Sequence, residues 1–67
     1  MQVKTYHSVI ELEEGVWFAG FGSYSLAEVK EEVAYLKADK SWSKFAYVSY
    51  PDLPNMQAAV MAAYNTK

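Results

Sequence analysis

A chain of 67 residues without a cysteine must obtain its stability from apolar packing or from association. A domain this small buries only about 60% of the surface that its unfolded chain exposes, and it needs reinforcement. Disulfides are excluded, and a structural zinc ion is disfavoured because the chain has one histidine and no thiolate, the usual ligands of structural zinc sites. We therefore predict a single domain over residues 1–67, with no metal and no cofactor.

Aromatic side chains are unusually abundant for so short a chain. Hydrophobic residues make up 52% of the sequence, with two tryptophans, six tyrosines and three phenylalanines. Each ring can bury about 150–250 Å², and one small interior cannot enclose them all. Surface tyrosine and tryptophan are typical of binding patches, so we predict that some rings contact another macromolecule.

The charge pattern disfavours nucleic acids as partners, and the apolar pattern disfavours a membrane. The net charge is −2, and every strongly basic side chain is a lysine. Arginine, whose guanidinium group donates two parallel hydrogen bonds to phosphates and to guanine edges, is absent. The sequence shows no signal-peptide pattern and no run of roughly 20 apolar residues, so we expect a cytoplasmic protein.

The first half of the chain is predicted to form a β-hairpin. Residues 2–13 alternate as a strand, and Gly15 is expected to close a three-residue loop by adopting a positive φ. Residues 16–21 are rich in aromatic and β-branched side chains and form the return strand. Gly20 and Gly22 are expected to end it.

The second half is predicted to form helix, strand and helix. A Ser-x-x-Glu capping box, with hydroxyl and carboxylate bonding reciprocally to backbone amides, opens a helix over residues 25–40. Residues 44–50 form the third strand. Asp52 is expected to cap a second helix over about residues 53–64.

These elements predict an α+β fold with the order β-β-α-β-α. A right-handed crossover through the first helix places strand one in the middle, antiparallel to both neighbours, in the order 2-1-3. We expect both helices on one face of this three-stranded sheet, with the other face open or used for pairing.

No catalytic constellation can be assembled from these residues. His7 is the only side chain suited to act as a base near neutral pH, and the adjacent Ser8 points to the opposite face of a strand. Glu28, Glu31 and Glu32 are interpreted as the solvated face of a helix. We predict no enzymatic activity and no catalytic residue.

The second helix is the strongest indication of an interaction surface. No side chain between Leu53 and Thr66 is charged, and a helix that is apolar all round is normally covered on several sides. Two interpretations remain open here: the helix lies in the chain's own core, or it offers a face for self-association or for a partner.

Two family resemblances add expectations about function. Residues 45–50 resemble the end of the RNP1 motif of RNA-recognition domains, residues 16–21 resemble its RNP2 strand, and residues 52–65 resemble the second helix of that family. This resemblance implies stacking of bases on Trp17, Phe45 and Tyr47. The negative charge counts against it, because nucleic-acid binding relies on cations that neutralise phosphates.

Residues 14–25, followed by an acidic capped helix, are similar to small accessory proteins of tailed bacteriophages. That resemblance implies an inhibitor or accessory factor that acts on a host protein in the host cytoplasm.

A separate expectation comes from the acidic residues. A negative flank suited to a cationic partner is expected from Glu11, Glu13, Glu14 and the acids of the first helix.

Our leading hypothesis is therefore a non-enzymatic protein-binding domain. The alternatives are single-stranded nucleic-acid binding and a structural subunit that assembles with itself, including a homodimer. The candidate partner-binding residues are Trp17, Phe21, Tyr47, Met56, Val60, Met61 and Tyr64.

Overall fold

The computed structural model describes residues 3–66. Residues 1, 2 and 67 of the predicted domain lie outside that range, and so does residue 2 of the predicted first strand. The elements are β1 (Thr5–Glu13), β2 (Val16–Ser23), α1 (Leu26–Asp39), β3 (Lys44–Pro51) and α2 (Met56–Asn65). The sheet has the order β2-β1-β3, and both pairings are antiparallel. The predicted α+β fold, element order and strand order are confirmed.

The central strand β1 is covered on both of its faces. Ser8, Val9 and Ile10 are buried one after another. Because successive side chains of a strand point to opposite faces, three consecutive buried residues require cover above and below the sheet.

Helix α1 covers one face. Its Val29 and Val33 pack against Val9 of β1 and Phe45 of β3, and Leu36 adds a partly buried contact. These three α1 residues recur at helical spacing, which is the pattern expected of a helix that buries one stripe.

Helix α2 covers the opposite face. There Ile10, Val48 and Tyr50 form a second buried cluster. The side chains that pack against this cluster from α2 and the neighbouring strands are partly buried; they include Tyr6, Trp17, Ala46, Met56, Val60, Met61 and Tyr64.

The prediction that both helices share one face is therefore wrong. Within residues 3–66 no Cα atom of α1 lies within 8 Å of one in α2, and adjacent residues Val9 and Ile10 belong to different clusters. The physical reason lies in the strands, which carry apolar side chains on both faces. Each face needs a helix, and the uncharged α2 covers the second one.

The hairpin turn is tighter than predicted. Glu13 pairs with Val16, so only Glu14 and Gly15 form the loop. Both have positive φ, 50° and 81° respectively, as a type I′ turn requires. The predicted three-residue loop is wrong because Glu14 also adopts the left-handed conformation.

Strand β2 continues past the glycines that were expected to end it. Ser8 pairs with Gly22 and Ile10 pairs with Ala19, so β2 contains one extra residue there and forms a bulge. Beyond the bulge, Gly22 provides space for the Tyr6 ring. That ring contacts Tyr24 and Tyr50, with centroid distances of 5.1 and 5.9 Å.

The N-cap of α1 combines a predicted contact with an unpredicted one. The Ser25 hydroxyl accepts from the Glu28 backbone amide at 3.4 Å, as predicted. The Glu28 carboxylate accepts from the Ser23 hydroxyl at 2.7 Å, and the Ser25 amide donates to that same hydroxyl oxygen at 3.0 Å. Ser23 thus stands between the Ser25 amide and the Glu28 carboxylate, and the predicted direct bond between that amide and that carboxylate is wrong.

The predicted cap of the second helix is wrong. Helix α2 begins at Met56, after Asn55 with a φ of 68°, and Asp52 does not cap it. The Asp52 carboxylate instead accepts a hydrogen bond from the Tyr24 hydroxyl at 2.5 Å. This contact ties the segment after β3 to the end of β2.

The end of α2 is fastened to the outer side of β2 by one side chain. The Asn65 Oδ1 atom accepts from the Trp17 backbone amide at 2.7 Å, and Asn65 Nδ2 donates to the Trp17 carbonyl at 3.2 Å. The amide therefore bonds to Trp17 as a neighbouring strand would. The Trp17 ring also packs edge-on against Tyr64, with centroids 5.9 Å apart.

We predict that Gly22→Ala destabilises the fold by about 1–3 kcal/mol, the usual range for overpacking. An added Cβ at Gly22 meets the Tyr6 side chain within 2.7 Å, and Tyr6 is held by two other rings. Gly20→Ala is the matched control, because its Cβ meets only the Val9 carbonyl oxygen at 3.9 Å. Urea unfolding measures both, and equal losses of stability would contradict the assigned role of Tyr6.

We also predict that Asn65→Ala weakens the anchoring of α2. Two hydrogen bonds are lost, at about 0.5–1.5 kcal/mol each, and the Trp17 amide loses its acceptor. Hydrogen exchange of the Trp17 amide should accelerate relative to amides of the β1–β3 ladder. Gln57→Ala is the control, because Gln57 is an exposed amide on the same helix, and it should leave the exchange rate of the Trp17 amide unchanged. An unchanged rate in Asn65→Ala would contradict the anchoring role of Asn65.

Candidate functional site

Four large rings are exposed on one side of the molecule. Phe18 and Phe21 of β2 are 53% and 45% exposed, and Tyr35 and Trp42 are 64% and 79% exposed. The β2 pair is uncovered because the buried valines of α1 contact β1 and β3. Apolar area therefore remains open along the edge strand β2.

A groove separates β2 from α1. Phe18 and Phe21 line it from β2, and Glu32 and Leu36 line it from α1. Its volume is about 150 Å³, and Phe45 contributes to its lining. The groove is small, so it accepts one or two side chains rather than a whole ligand.

The groove continues into shallower concavities at both ends. At one end Phe21 and Glu32 adjoin Tyr35. At the other end Phe18 adjoins Trp42. We call the continuous region the acidic aromatic surface; it comprises Val16, Phe18, Phe21, Tyr35 and Trp42 together with Glu11, Glu13, Glu14, Glu28, Glu31 and Glu32.

The charged side chains that line this surface are all negative. All six glutamates of the chain line it, whereas none of the lysines between residues 3 and 66 does. Lys37 and Lys44 line a neighbouring concavity beside Trp17, which shares Phe45 with the groove and Ser43 with the Trp42 end. Aromatic area and negative charge therefore coincide.

The predicted partner-binding rings do not form one surface. Phe21 lies on the acidic aromatic surface. Tyr47 is exposed on β3, opposite Val9 on the α1 side of the sheet. Trp17 is partly buried on the α2 side, where it packs against Tyr64.

The four predicted residues of the second helix face the chain's own core. Met56, Val60, Met61 and Tyr64 are partly buried against the α2-side cluster. This packing agrees with the first interpretation left open by the sequence, that the helix lies in the chain's own core. The face of α2 that remains exposed consists largely of alanines at positions 58, 59, 62 and 63.

The three-ring stacking platform implied by the RNA-recognition resemblance is wrong for this fold. Phe45 is only 6% exposed, because α1 covers it. Trp17 and Tyr47 lie on opposite faces of the sheet. A single strand of nucleic acid cannot stack on both faces at once.

Sequence reasoning missed Phe18, Tyr35 and Trp42 as surface rings. A usable signal existed on α1, where Glu28, Glu32 and Tyr35 follow helical spacing beside the buried stripe. The exposure of Phe18 had no such local signal, because it depends on where α1 crosses the sheet.

His7, the only side chain suited to act as a base, and its neighbour Ser8 both form contacts between strands. His7 Nδ1 and Ser49 Oγ lie 2.6 Å apart across β1 and β3. Ser8 and Tyr50 share a buried hydrogen bond of 2.9 Å on the opposite face. Among residues 3–66, no three histidine, aspartate or glutamate side chains are grouped so that they could hold a metal ion.

Between residues 3 and 66, neither helix is long and apolar enough to cross a membrane.

Comparison with protein-family models, with curated proteins and with solved structures finds no match for this chain. The resemblances to phage accessory proteins and to RNA-recognition domains therefore stay predictions from the sequence.

Tyr24 gives a prediction that depends on pH. Its hydroxyl donates to the Asp52 carboxylate, and this hydrogen bond raises the pKa of Tyr24 above its ordinary value of 10.0. Because the raised pKa belongs to the folded state, the stability from this contact is present below pH 10 and is lost as the pH rises through the folded pKa. Asp52→Asn should lower the Tyr24 pKa.

Ultraviolet titration of tyrosinate measures this effect, and the difference between the wild type and Tyr24→Phe isolates the Tyr24 component. An unchanged Tyr24 transition in Asp52→Asn would show that the carboxylate does not cause the shift.

Proposed function

We propose that this chain is a non-enzymatic protein-binding domain that docks through the acidic aromatic surface. The observation that carries the proposal is the coincidence of exposed rings on one continuous surface. Full burial of a large apolar side chain contributes about 1.5–3 kcal/mol, and interface hot spots are enriched in buried aromatic anchors. Phe18 and Phe21 are the central anchors, and Tyr35 and Trp42 lie at the two ends.

The charge of the surface supports a protein rather than a nucleic acid as the partner. Phosphate backbones are bound by lysine and arginine, which release counterions as they neutralise the phosphates. Here six carboxylates surround the rings instead. A nucleic acid approaching this surface meets repulsion of like charges.

The proposal includes a role as an inhibitor or accessory factor acting on a host protein in the host cytoplasm. It rests on the similarity of residues 14–25 to small phage proteins and on a compact acidic surface. A domain of this kind acts by occupying a functional surface of a larger protein, and needs no chemistry of its own.

A self-assembling subunit is the second candidate. The exposed alanines of α2 and the absence of charge from Leu53 to Thr66 support close approach of a second copy. Sedimentation over a wide concentration range tests it, because a strict monomer at high concentration removes this candidate.

We predict that the double variant Phe18→Ser/Phe21→Ser loses its protein partner but keeps its fold. Both rings are about half exposed, so their removal mainly affects the surface. Immobilised wild-type protein should retain a specific protein from a bacterial lysate, identified by mass spectrometry, and the double variant should not. Circular dichroism should show unchanged secondary structure.

Leu53→Ser is the matched control for this experiment. The exposed fraction of Leu53, 47%, is similar to that of Phe21, 45%. Leu53 lies outside the acidic aromatic surface. It should retain the same protein as the wild type. Equal retention by all three proteins, or retention of nothing by the wild type, would contradict docking through this surface.

A further inference from the structure

We infer that the acidic aromatic surface binds an extended, lysine- or arginine-bearing segment of a partner protein, which lies along β2. This inference rests on the proposed function and names the chemistry of the occupant. It follows from the charge around the groove, from the type of ring inside it and from its shape.

The charge decides against an apolar or neutral occupant. Glu11 and Glu32 line the central groove itself, and the other four glutamates lie around its two ends. Covering these carboxylates with uncharged groups removes them from water without a partner, which is strongly unfavourable. A cationic occupant supplies that partner, and its field complements the surface during approach.

The rings favour the same occupant. An ammonium or guanidinium group is attracted to the face of an aromatic ring within about 6 Å. Phe18 and Phe21 stand beside Glu11 and Glu32 in one groove. A cation there can contact a ring and a carboxylate together, and its aliphatic stem can lie on apolar surface.

The shape favours an extended segment. The central groove of about 150 Å³ accommodates single side chains rather than a helix, which is about 10–12 Å wide. Strand β2 has eight residues, and at about 3.3 Å per residue it matches an extended segment of similar length. β2 is also an edge strand in residues 3–66, and its outer side has no strand partner, although Asn65 already occupies the Trp17 amide and carbonyl.

The test is a nuclear magnetic resonance titration of the whole chain with two synthetic peptides of about eight residues, the length set by β2. One alternates lysine with threonine, and the other has glutamine in place of every lysine. The lysine peptide should shift the amide signals of Phe18, Phe21 and Glu32. It should bind at least about tenfold more tightly than the glutamine peptide, a difference of about 1.4 kcal/mol, and should weaken as salt is added.

Matched single-charge variants locate the effect. Glu32→Gln removes a carboxylate from the groove, whereas Asp39→Asn removes an exposed one from the end of α1, outside the surface. Glu32→Gln should weaken binding of the lysine peptide about fivefold or more, which corresponds to about 1 kcal/mol. Asp39→Asn should weaken it less than twofold.

Equal binding of both peptides, no binding of the lysine peptide, or equal effects of the two variants would overturn the inference about a basic segment. None of these results touches the proposed function, which depends on loss of a captured protein in Phe18→Ser/Phe21→Ser. Conversely, failure of that capture would contradict the proposed function, whereas charge-dependent peptide binding would still show that the surface has an affinity for basic segments.

Discussion

The structure depends on the burial of β1 from both sides. Ser8, Val9 and Ile10 are enclosed in succession, with Val9 under α1 and Ile10 under α2. Two thin apolar layers thus replace the single thick core that a chain of this length cannot build. The one polar member, Ser8, is accommodated because its hydroxyl bonds to the Tyr50 hydroxyl, so its burial leaves no hydrogen-bonding group unpaired.

Two helices on a three-stranded sheet cannot cover all of both faces, and the uncovered part becomes the candidate site. On the α1 side, cover centres on Val9 and Phe45 and leaves Phe18 and Phe21 of the edge strand exposed. On the α2 side, Trp17 is closed off by Tyr64 and by the Asn65 amide. Strand β2 therefore has a packed face on the α2 side and an open face on the α1 side.

Local sequence signals predicted the elements and their order well, because turns and caps depend on near neighbours. The turn at Gly15 and the cap at Ser25 are such signals, and they place the hairpin and α1 correctly. The side on which α2 packs was not predictable in this way. It depends on β3 carrying Phe45 on one face and Val48 on the other, and this requires the register of all three strands.

The same limit explains what was missed at the site. Phe21 was selected and Phe18 was not, although the register brings both to one groove. Composition showed a surplus of rings, but only the path of α1 decides which of them remain uncovered. That path also brings the acids of α1 beside those of the hairpin, so that Glu11 and Glu32, far apart in sequence, line one groove. Repulsion between like charges that line one groove costs stability, and the proposed cationic partner would offset that repulsion on binding.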